Sequence, residues 1–266
     1  MTISNSGIPA EIISAWDKAA TKCANPLGLD EKVLQDSLED CPPREYEGGT
    51  FLGRFLIPRS FVVYDEQDQP RQKGCDPNHV TNLYNNYIVK EYMTTEEPPI
   101  ASFNDGVLNS SILKPHSGFN RYKALDRLGQ EIYIYDVYEF ESRYWEVIAA
   151  SASNHHSNPQ LSQTNEDYLK VVTNAVKAQI IPSDEDSIKD FVNKIATDKT
   201  SQQRKTIVQN SLNNCEVYPN FRVFSSTGSG KNTLNGFVRS NKLAKQGVGG
   251  RKDFELANQG YLLYLS

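Results

Sequence analysis

No apolar run in the 266 residues approaches the roughly 18 residues that a membrane-crossing helix needs, so no membrane partner is expected. Cysteine is scarce and scattered, at positions 23, 41, 75 and 215, with no C-x-x-C pair. Such spacing builds neither a zinc framework nor a disulfide scaffold, and the thiols read as reduced in a cytoplasmic protein. The first residues, MTISNSGIPAEIISAW, lack a basic patch ahead of an apolar stretch and do not read as a secretory signal. There is no internal repeat.

Acidic residues are nearly missing from one region. Residues 199–266 hold 10 Lys and Arg against 3 Asp and Glu, a balance of +7, whereas residues 1–198 hold 18 against 30, a balance of −12. Between Lys199 and Lys252 only Glu216 is acidic. A segregated positive region on an acidic chain is the footprint expected for phosphate contact, with a solvated basic face as the plainer alternative. Arg204, Lys205, Arg239, Lys242, Lys245, Arg251 and Lys252 are the candidate DNA-binding cations.

What is present reads as an α+β chain in four parts. Residues 1–50 form a helical extension: Ile12, Ile13, Trp16, Ala19 and Ala20 share a face after Pro9, and Asp30 caps a second helix carrying Val33, Leu34 and Leu38. Residues 51–160 mix short strands with helices: strands at 56–64, 100–103, 109–113 and 132–140, a helix opening at Asp76-Pro77, and another over 121–128 stopped by Gly129. The first of these helices carries the stripe Val80, Leu83, Tyr84, Tyr87, Ile88. Residues 161–214 are helical, with box-like starts at Thr164-x-x-Asp167 and Ser183-x-x-Asp186 and a third helix over 201–212. Residues 215–266 are basic, glycine-rich and β-like.

Gly118 permits a sharp turn, and the helix starting near Asn120 aims its free N–H groups back at that turn. Arg121 adds a planar cation that can grip two phosphate oxygens or pair with a nearby carboxylate, and His116 is close in sequence. Gly118, Asn120 and Arg121 are therefore the candidate phosphate-binding residues. Asn154, His155 and His156 form a second polar cluster able to supply a general base or a metal ligand. With His116 and Arg121 they make the candidate catalytic set. Hydrolysis would need Mg²⁺ or Mn²⁺ held by oxygen ligands. Asp105, Asp136, Glu139 and Glu141 are available, and spacing does not choose among them. Ser225 to Thr233 resembles the end of a phosphate-binding loop, but Ser225 stands where its first glycine belongs and Asn232 follows the lysine.

Four stretches resemble, in order, the ParB N-terminal (ParB/sulfiredoxin-like) family. They are Gln69-Pro70-Arg71 with Asp76-Pro77; Pro98-Pro99-Ile100; Ser117-Gly118-Phe119-Asn120-Arg121-Tyr122-Lys123-Ala124-Leu125 with Leu128-Gly129; and Asn154 ahead of Pro159 and Thr164. The resemblance covers about half the chain. It implies a small mixed sheet flanked by helices, followed by a helical segment. It also implies a phosphate-contacting turn at Gly118–Arg121, and members of this fold range from nucleotide binders to nucleases and sulfinic acid reductases. Phe119 and Asn120 replace the cysteine region that reductase chemistry requires. Ser153 and Ser157 replace the acid and the arginine of the nucleotide-binding E-N-x-x-R box, which counts against CTP as cofactor. The expectation is a metal-dependent nuclease acting on DNA. The alternatives are a non-catalytic DNA-binding module with a nucleotide or phosphate pocket, and a small-molecule phosphotransferase.

Overall fold

The computed structural model describes residues 7–64, 71, 74–89, 96–103, 111–153 and 163–214. In chain order these form α1 (Ala10–Ala20), α2 (Glu31–Asp40), β1 (Gly49–Pro58), a 3-10 turn (Arg59–Phe61), α3 (Pro77–Val89), β2 (Ile100–Phe103) and β3 (Leu113–Pro115). Then come α4 (Phe119–Leu128), β4 (Ile132–Phe140), α5 (Arg143–Ser153), α6 (Asn165–Lys177), α7 (Glu185–Ile195) and α8 (Ser201–Asn214). The β-like reading of residues 215–266 lies outside the described residues.

The four strands make one mixed sheet in the order β1-β4-β2-β3. β1 runs antiparallel to β4 from Gly49↔Phe140 to Pro58↔Ile132, β4 is parallel to β2, and β2 is antiparallel to β3. The first strand corrects the expectation of 56–64: it begins seven residues earlier and stops at Pro58. Arg54, outside the expected strand, is buried inside the observed one. Its guanidinium donates to both carboxylate oxygens of Asp136 on β4, at 2.5 and 2.8 Å, and to the carbonyl of Ser37 on α2. A buried charge survives only when paired this fully. The third strand also moves, to Leu113–Pro115.

Alternate residues on each strand face opposite sides. On one side Trp16 and Ile12 of α1 pack with Phe55, Ile57, Ala101, Phe103, Leu113 and Val137. Trp16 also donates its indole N–H to Ser111 O at 2.9 Å, which satisfies the one polar group it buries. The other side carries Arg54–Asp136 and the cluster of Ile100 and Tyr138 with Ala149 of α5. Leu83 and Tyr87 of α3 meet Ala124 and Leu125 of α4 in a separate core. Ile88, expected on that apolar stripe, is instead 54% exposed, because the helix turns it past the seam.

The helix α5 was not anticipated. Tyr144, Val147 and Ile148 join the core of α6, α7 and α8, while Ala149 packs on the sheet. The helix is divided between two cores, which blurs its apolar periodicity. Thr164 and Asp167 form the expected reciprocal capping box on α6. On α7 the cap is Asp184, one residue past the expected Ser183, accepting the Ser187 N–H at 2.8 Å. Lys194 fastens the helical unit to the sheet domain through Glu47 at 2.8 Å.

Candidate functional site

The turn before α4 is built around Gly118, whose φ of +82° places it in the left-handed region. A Cβ there would sit 2.7 Å from Cγ of Pro99, so both the backbone conformation and the neighbour demand glycine. No side chain caps the helix at that residue, which leaves its first N–H groups directed at the turn. Asn120 accepts the Asp76 N–H at 3.0 Å through its side-chain oxygen and thereby ties the start of α3 to the start of α4.

Arg121 enters the protein. Its Nε lies 3.0 Å from Glu96 Oε1, its Nη1 donates to the Glu97 carbonyl, and its side chain is 18% exposed. Burial works against its charge, but Glu96, Tyr133, Tyr87 and Glu97 outweigh it and hold the group above its ordinary value. The carboxylate pairing is thus present. His79, which sequence reasoning passed over, joins the same neighbourhood. Its pKa is lowered by burial first and then by Arg71 and Arg121, against the opposing charge of Asp76. Arg71, His79 and Arg121 are thus close enough for their charges to act on one another.

His116 faces elsewhere. It is buried, with Nε2 at 2.8 Å from Ser102 Oγ, and Ser102 donates its hydroxyl proton to Glu146 Oε1 at 3.0 Å. With that proton committed, Ser102 accepts from His116, and the Nε2–H tautomer follows. Burial, followed by Lys114 and Arg143, pushes the imidazole pKa down to about 3, so it is neutral at pH 7 and a poor general base. His116 lines a cavity of about 750 Å³ with Lys114, Arg143, Glu146, Ser151 and Lys170, to which neither Gly118 nor Arg121 contributes.

The third feature is α8. Thr200 and Gln203 form a reciprocal capping box at its start, with hydrogen bonds of 2.9 and 3.3 Å. Ile207, Ser211 and Leu212 face the core with α6 and α7. Gln202, Lys205, Gln209 and Asn213 are exposed along the opposite side, and Arg204 is half-buried. The helix contains no acidic residue.

Asn154, His155, His156, Arg239, Lys242, Lys245, Arg251 and Lys252 lie outside the described residues, as do Asp105 and the Ser225–Thr233 stretch. Asp136 is held by Arg54, and Glu139 and Glu141 are exposed at the end of β4. Among the described residues no group of three or more His, Cys, Asp or Glu side chains could hold a metal ion. Nor is any described helix long and apolar enough to cross a membrane.

No protein-family model matches this chain, and no curated protein matches it. Solved structures are similar. A Pnob8-like ParB-N domain shares 11% identity at a TM-score of 0.44, covering 82% of this chain and 97% of that one. The C-terminally truncated chromosome-partitioning protein ParB from Caulobacter crescentus, complexed with CTP-gamma-S, shares 14% identity at a TM-score of 0.32, covering 78% and 98%.

Proposed function

We propose that this is a DNA-binding protein in which α8 reads a duplex while a mixed-sheet domain carries a phosphate-binding turn. The observation that carries the reading is the α7–α8 pair. Two helices joined by the short turn 196–200 pack on α6, and the second presents a polar, acid-free face. A helix-turn-helix unit likewise follows one helix with a second that it lays in the major groove. The exposed residue types suit that task. Gln makes bidentate bonds to adenine, and Lys bonds to guanine O6 and N7. The basic stretch 199–266 would add contacts to the backbone, which position the protein without reading sequence.

The uncapped start of α4 has the chemistry to hold a phosphate group, whether of a nucleotide or of DNA. Metal-dependent cleavage of DNA by the Asn154-His155-His156 cluster is the catalytic extension of the same reading, with Mg²⁺ or Mn²⁺ as its cofactor.

One experiment addresses both. Duplexes recovered from a randomised pool by binding should be retained tightly, and Gln202→Ala with Lys205→Ala should abolish that preference. In parallel, supercoiled plasmid incubated with Mg²⁺ or Mn²⁺ should be nicked, and chelator should stop this. Enrichment of no sequence, with weak binding at low salt, would remove α8 as a recognition helix. Intact plasmid under every metal would leave a binding module without nuclease activity.

A further inference from the structure

The cavity beside His116 lies apart from the α4 turn and from the exposed face of α8. Three elements and the turn after α6 line it: Lys114 and His116 from the β3 edge, Arg143, Glu146 and Ser151 from α5, and Lys170, Asn174 and Lys177 from α6. Four cations face one carboxylate there, a formal surplus of three positive charges. Glu146 also accepts the Ser102 hydroxyl, and Lys114 and Lys170 have partners of their own. Arg143 and Lys177 are exposed and form no ion pair among the described residues. The rest of the lining is apolar, from Val147, Ala150, Val171, Ala175 and Ile180.

At about 750 Å³ the space falls within the size range of small-molecule sites, which are likewise largely apolar with a few convergent polar groups.

We infer that this cavity binds a small amphiphilic phosphorylated molecule, its dianionic head held by Arg143, Lys177 and neighbouring lysines and its apolar body on the Val147–Val171–Ile180 floor. The ligand would touch both the sheet edge and α6, and so would fasten the three-helix unit to the sheet domain. The inference does not rest on DNA binding, and an α8 variant that loses DNA leaves it untouched.

Calorimetry on the full chain tests it with three probes: inorganic pyrophosphate, 1-naphthyl phosphate and a short duplex. Naphthyl phosphate should bind, and more tightly than pyrophosphate, because only it has an apolar body for the floor. Arg143→Glu with Lys177→Glu, both on exposed positions, should weaken it about tenfold or more, since charge-assisted bonds are lost and repulsion is added. Ser151→Ala should leave the affinity unchanged, because that hydroxyl is closed off from the cavity. Arg121→Ala should leave the affinity unchanged. No heat with naphthyl phosphate at millimolar concentration would overturn the inference. So would affinity that survives the double charge reversal, or that disappears with Arg121→Ala and thereby belongs to the α4 turn. Binding of the duplex alone, sensitive to Arg143 and Lys177, would reassign the cavity to the DNA backbone.

Discussion

The buried pair Arg54–Asp136 and the buried imidazole of His116 set two stability predictions at the scale of single residues. Asp136→Leu alone should cost about 3–5 kcal/mol, because it strands an uncompensated guanidinium, whereas Arg54→Met with Asp136→Leu should recover most of the loss. Urea unfolding of the three proteins decides it. An additive double variant would show that the charges do not act on each other. For His116 the folded pKa of about 3 lies below the ordinary value of 6.5, so between those limits the unfolded chain binds more protons. Stability is therefore full above about pH 6.5 and falls as the pH drops through that window, by about 2 kcal/mol at pH 5. His116→Gln should flatten the decline in urea midpoint between pH 7 and pH 5, and an equal slope in both proteins would defeat this account. Arg121→Ala should lower stability by about 1.5–3 kcal/mol, because its guanidinium is bound to Glu96 and the Glu97 carbonyl. A melting temperature unchanged by the substitution would mean that the pairing contributes little.

Among the elements, α1 to α4 and α6 to α8 were legible in the sequence, and α5 was not. Asp30, Thr164 and Gly129 mark their helix ends in the sequence, and each does so in the structure. The capping box Thr200–Gln203 was equally available as a T-x-x-Q pattern and was missed. The start of β1 was hidden because Arg54 breaks its alternation, and that charge makes sense only once Asp136 lies across from it. For α8 the expectation concerns function. Lys205→Ala should reduce preference for the selected duplex by about 1–3 kcal/mol while leaving helix content intact, since the side chain is exposed. Circular dichroism alongside competition binding separates the two effects. A loss of helicity would mark Lys205 as structural.

Over the whole molecule, charge segregation makes a prediction that no single residue does. If several of Arg204, Lys205, Arg239, Lys242, Lys245, Arg251 and Lys252 neutralise phosphates, log K should fall linearly with log salt. Lys242→Glu, Lys245→Glu and Lys252→Glu together should shallow that slope and weaken binding to all sequences by a similar factor. Anisotropy titrations from low to moderate salt measure it. A flat dependence in the unsubstituted protein would remove DNA as the partner and favour a small-molecule phosphotransferase.

The sequence by itself determined the class of the fold, the positions of most helices and the glycine turn at 118, because caps, apolar spacing and backbone strain are local properties. It also determined where the positive charge lies. The partners of the charged residues were decided only in three dimensions. Arg121 meets Glu96 across 25 residues, Arg54 meets Asp136 across 82, and His116 turns from Arg121 toward Ser102 and Glu146. Which carboxylate meets which cation depends on strand register and helix docking, and neither leaves a trace in residue spacing.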